Sequence, residues 1–91
     1  MSFELYTTND KYLGELATNK GLDDLQVFVT KAGFKALQAL CDNGQSEDIT
    51  GLVSETEKAV TDKDTPPGVV ETLKGMRDML KKADDIVLIV S

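Results

Sequence analysis

Asp84-Asp85-Ile86-Val87-Leu88-Ile89-Val90-Ser91 is the stretch on which the fold turns. Ile86 to Val90 is an unbroken apolar run rich in β-branched residues, too short for an ordinary helix and bounded by turn-forming acids. It reads as a strand covered on both faces. Such a strand needs neighbours along both edges, because a bare apolar edge invites aggregation. The other clear strand is Phe3 to Thr7, where Phe3 and Leu5 alternate with Glu4 and Tyr6. A two-stranded sheet is marginal. Either Leu25 to Thr30, crowded with β-branched and aromatic residues, supplies a third strand, or a second copy of the chain completes the sheet. This is the motive for expecting a homodimer.

The residues between the two strands show helical spacing. A first helix, capped by Thr8, Asn9 or Asp10, gathers Tyr12, Leu13, Leu16 and Ala17 on one side, and Gly21 suits its end. The second, from about Asp23 to Asp42, places Leu25, Phe28, Val29, Ala32, Ala36, Ala39 and Leu40 on one face. Val27, Phe34 and Cys41 recur at seven-residue spacing on nearly the opposite face. A helix apolar almost all round is buried on two sides, or meets a partner with its second face. The third helix opens at Ser46 and carries Ile49, Leu52, Val53, Thr56, Ala59 and Val60 as a single stripe, with Glu55, Glu57 and Lys58 facing away. The fourth begins after Thr65, with Pro66 in its first turn, and buries Val69, Val70, Leu73, Met76, Met79, Leu80 and Ala83. Each proposed helix contains one glycine, at Gly14, Gly33, Gly51 and Gly75. Each costs about 1 kcal/mol against alanine in a helix interior. The expected fold is α+β with helices dominant: about four helices packed on a small sheet formed by the N-terminal and C-terminal strands, in a single domain over residues 1–91.

Composition narrows the function classes. Apolar residues make up 41% and charged residues 29%, a globular balance, while aromatics reach only 5%. Sixteen acidic and ten basic residues give a net charge of −6. That field repels phosphate backbones and anionic bilayers, so neither nucleic acid nor membrane is an expected partner. The longest apolar run is far below the ~20 residues of a membrane helix. The first ten residues lack a basic region followed by an apolar stretch, so no signal peptide is expected. With one cysteine, Cys41, a reducing, cytoplasmic setting is the default.

The chain has no histidine, which removes the commonest general base and the commonest transition-metal ligand. Cys41 reads as packing. Asp62-Lys63-Asp64 starts like a calcium loop, but Pro66 takes the third ligand position and Leu73 stands where the bidentate glutamate belongs. Asp84-Asp85, in a helix-to-strand turn, is the acid pair with most scope to reach a cation or an amine. No phosphate-cradling glycine loop is present, so no catalytic residue, metal or cofactor is assigned. The closing helix–strand unit looks like the end of barstar-type ribonuclease inhibitors, small acidic proteins that also end in a strand. The aromatic-rich central helix of that family is missing here, and no residue role carries over.

The leading expectation is a non-enzymatic, self-associating protein-interaction module that makes contact through Val27, Phe34, Ile86 and Leu88. An acidic inhibitor, or nucleic-acid-mimicking decoy, of a basic partner protein is the alternative, drawn from the net charge. A small carboxylate-dependent enzyme using Tyr6 or Tyr12 is the third.

Overall fold

The alternation at Phe3 to Thr7 forms the strand it predicts, at the centre of the sheet. The computed structural model describes residues 2–91. Its elements run β1 (Ser2–Thr7), β2 (Tyr12–Thr18), α1 (Asn19–Ala32), α2 (Lys35–Asn43), β3 (Gln45–Ser46), α3 (Ile49–Thr61), α4 (Pro67–Leu80) and β4 (Val87–Val90). The strands form one antiparallel sheet in the order β2-β1-β4-β3. The fold is α+β, with four helices packed against a sheet built from both ends of the chain.

The segment Tyr12 to Ala17 is β2, not a helix. In its register with β1, Phe3 faces Ala17 and Glu4 faces Glu15, then Leu5 faces Gly14 and Tyr6 faces Tyr12. Leu16 and Leu13 are the residues skipped at the two register shifts. Each is an extra residue in a bulge, and both turn inward and are buried. Two bulges three residues apart imitate helical spacing in an extended strand. Gly14, between them, has φ +150 and lies against the Met79 side chain. The β1–β2 turn closes with the Thr7 amide donating to the Lys11 carbonyl at 3.0 Å, and Asp10 takes the left-handed conformation.

The long second helix is two helices. Thr18 caps α1, its hydroxyl accepting from the Gly21 amide at 3.1 Å, so Gly21 lies inside the first turn of a helix rather than at the end of one. Leu25 to Thr30 is therefore helical. At Gly33 (φ +77) the chain leaves α1, with the Gly33 and Phe34 amides both donating to the Val29 carbonyl at 3.0 Å. Leu25 and Val29 of α1, and Leu37 and Leu40 of α2, then enter the same core from different directions. The Val27–Phe34–Cys41 spacing is consequently not a stripe on one helix. Glu55, expected to face away, reaches from α3 to the start of α2. Its two carboxylate oxygens accept from the Ala36 and Leu37 amides at 3.0 and 2.9 Å. A charged acceptor on an otherwise uncapped helix start is the strong kind of hydrogen bond.

The N-cap of α3 is Asp48 rather than Ser46. Its carboxylate accepts from the Gly51 amide at 2.9 Å. That carboxylate occupies the space a side chain at position 51 would need, which explains the glycine. Alanine there would gain about 1 kcal/mol of helix propensity and displace a cap of similar worth. In β4, Val87 is buried, Leu88 and Ile89 half-buried and Val90 exposed. The strand is covered on one face, not two. Both its edges are paired within the chain, by β1 and β3.

Gly75, inside α4, has only Met79 Cε within reach of an added methyl, at 3.7 Å. We expect Gly75→Ala to stabilise the fold by about 0.5–1 kcal/mol. Gly14→Ala, strained in φ and 3.2 Å from the Met79 side chain, is expected to cost about 1 kcal/mol or more. Urea midpoints of the two variants against the parent chain check both signs.

Candidate functional site

Strand alternation gives the sheet two chemically different faces. Leu5 pairs with Ile89 and Thr7 with Val87; these side chains point to the helices, and Leu5, Thr7 and Val87 are fully or almost fully buried. Glu4 pairs with Val90 and Tyr6 with Leu88 on the opposite face, and neither Leu88 nor Val90 belongs to the core cluster. Tyr12 opposes Tyr6 from β2, with ring centroids 5.2 Å apart and planes inclined at 56°. The result is an open surface of two tyrosines, Leu88 and Val90. Tyr12 and Val90 are 54% and 43% exposed. Both tyrosines of the chain stand on it.

A shallow depression of about 440 Å³ on this face is lined in part by Glu4, Tyr6, Asp10, Leu88 and Val90, with no lysine or arginine in its walls. The Tyr6 hydroxyl donates to Glu4 Oε2 over a long 3.3 Å. Among the described residues, the ion pairs are Lys20–Asp24, Arg77–Glu57 and Lys81–Asp78. Glu4, half-buried between the strands, has no cation beside it there. The Tyr6 phenol is pushed above its ordinary value by partial loss of water, then by the charge of Glu4 and the hydrogen bond to it.

The expected contact residues fall in separate places. Leu88 is on the open face beside Tyr6. Ile86, half-buried before β4, lines a different shallow depression with Gln45, Ser46 and Asp48. Phe34 begins α2, with its ring against Phe28 at 5.9 Å and its body packed on the core. Val27 stands 68% exposed on α1. Glu4, Tyr6, Tyr12 and Val90 complete the face around Leu88. Their signal was the alternation in Phe3 to Thr7, but Tyr12 was hidden by the helix-like spacing of β2.

Asp85 is a clip. Its carboxylate accepts from the Thr8 hydroxyl at 2.6 Å and from the Ile86 amide at 2.8 Å, and both bonds hold its carboxyl below the usual carboxylate range. It ties the β1–β2 turn to the start of β4. Burial, with Asp42 nearby, pushes the Cys41 thiol up to about 11. No group of three or more potential metal-ligating side chains occurs among the described residues, and no helix there is long and apolar enough to cross a membrane. No protein family, no curated protein and no solved structure matches the chain.

A phenol with a raised value contributes stability that is complete below the unfolded value near 10.0 and is lost as pH climbs through the folded one. Glu4→Gln removes the charge that holds the proton on Tyr6. In a Tyr12→Phe background, tyrosinate absorbance is expected to titrate at lower pH in Glu4→Gln. The same variant should lose less stability across that alkaline window.

Proposed function

We propose that this chain is a non-enzymatic protein-interaction module that docks a cationic partner protein on the open face of its sheet. The observation behind this reading is the one-sided covering of the sheet, which leaves Tyr6, Tyr12, Leu88 and Val90 beside Glu4, a carboxylate with no ion pair among the described residues. Tyrosines with neighbouring apolar side chains are the usual anchors of protein interfaces. The acids around them select the sign of the partner, and the net charge of −6 steers it in. A second copy of the chain is the wrong occupant for this face. Two-fold pairing brings a patch against itself, and this one carries Glu4 and Asp10 with no lysine or arginine in its walls to answer them.

The test is an NMR titration with a lysine-containing amphipathic peptide as probe. Amide shifts concentrated at Glu4, Tyr6, Leu88 and Val90 and suppressed by salt are expected, with affinity reduced several-fold by Leu88→Ala, a loss of about 1 kcal/mol. Shifts spread over the helices instead would overturn the reading.

Self-association has its own surface and its own observation. On α1, Val27 lies in a shallow depression with Asp23 and Lys31. These three positions share one helix face at four-residue spacing. An antiparallel two-fold pairing centred on Val27 sets Asp23 against the Lys31 of the second copy, twice. The apolar area is small, so such a dimer is weak. Sedimentation velocity at high protein concentration is expected to show a dimer that Lys31→Asp dissociates and that Asp23→Lys combined with Lys31→Asp restores. A monomer throughout would rule it out.

A further inference from the structure

We propose that the corner formed by Glu4, Tyr6 and Tyr12 is a receptor for an arginine side chain of the docked partner. This rests on the open face being the docking surface and names the chemistry it selects. Three observations meet at the corner. The Glu4 carboxylate has no cation beside it among the described residues, and its one side-chain donor there is the Tyr6 hydroxyl, on Oε2 at 3.3 Å. The Tyr6 and Tyr12 rings are 5.2 Å apart and tilted by 56°, so they present ring faces rather than a closed stack. Tyr12 is more than half exposed, and the depression next to Tyr6 is bounded by Asp10 on its acidic side.

A guanidinium uses all of these at once. It is planar, so it stacks on a tyrosine face while its edge donates in a fork to the carboxylate. It is weakly hydrated, so leaving water for a half-buried site costs it less than it costs an ammonium. A lysine can meet the charge of Glu4 but not the fork and the ring together. A divalent cation needs several converging oxygens, and no group of three or more potential metal-ligating side chains occurs among the described residues. A phosphate or carboxylate ligand is repelled by Glu4 and Asp10. Leu88 and Val90, on the neighbouring strand, accept apolar residues flanking the arginine in the partner chain.

The chain has two tyrosines, both at this corner, and no tryptophan, so intrinsic fluorescence reads the site directly. The probes are three blocked pentapeptides with apolar flanks, differing only at a central arginine, lysine or trimethyl-lysine, titrated into the full chain. The arginine peptide is expected to change tyrosine emission, to shift the amides of Glu4, Tyr6 and Tyr12, and to bind about tenfold more tightly than the lysine peptide. Glu4→Gln and, separately, Tyr12→Leu are expected to reduce it to the lysine level, each with the amide spectrum of a folded chain. Equal binding of arginine and lysine, or preference for trimethyl-lysine, would overturn the guanidinium assignment while the open face kept its cationic partner. If no cationic peptide perturbs this face, the docking surface fails together with the assignment.

Discussion

Leu5 lies opposite Ile89, and Thr7 opposite Val87, in the pairing of β1 with β4 that joins the two ends of the chain. Each of these strands is interior to the sheet: β1 also holds β2, and β4 also holds β3. Remove the pairing and the sheet falls into a hairpin and a fragment, neither stable alone in water. Leu5 and Val87 have no solvent exposure and belong to one core cluster with Leu25, Leu37 and Leu73 of the helices. Burying each such side chain stabilises by about 1.5–3 kcal/mol. The strand pairing is therefore the frame that makes the helical core possible. It is reinforced where it begins. The Thr8 amide donates to the Ile86 carbonyl at 3.1 Å, and the Thr8 hydroxyl holds Asp85.

The parts of this fold that were legible in the sequence are those with one uninterrupted period. Leu52, Thr56 and Ala59 on α3, and Val69, Leu73, Met76 and Leu80 on α4, are buried as their spacing predicts. Phe3 to Thr7 and the apolar tail are strands. Spacing misleads where the backbone changes geometry inside an apolar pattern. The bulges at Leu13 and Leu16 give a strand the spacing of a helix. Gly33 bends the chain between two segments that share one apolar period, and a glycine in a helix interior looks the same in sequence as one that ends a helix. The Glu55 cap on α2 joins residues distant in sequence, and no local rule exposes it.

The candidate face was half legible for a related reason. An apolar run such as Ile86 to Val90 records that both sides of the strand avoid charge. It does not record what covers them. Helices take the Val87 and Ile89 side, and the Leu88 and Val90 side is left to Tyr6, Tyr12 and solvent. The expectation of a partner for this strand rested on its edges. The chain fills both edges for itself, with β1 and β3.

The edges of the sheet also bear on how a partner can approach. At one side β2 is the outermost strand. Its two bulges interrupt the regular ladder, and Lys82 Nζ donates to the Leu13 carbonyl at 3.2 Å. Lys11 in turn donates to the Lys82 carbonyl at 2.8 Å, so two lysines sit where an added strand would start to pair. At the other side β3 offers only Gln45 and Ser46. Short, bulged and lysine-guarded edges are the devices by which sheets resist growing into one another. Strand addition is thereby disfavoured at both ends, while Tyr12 and Val90 stay exposed on the open face. For the proposed partner this leaves side-chain recognition on that face rather than main-chain pairing at an edge.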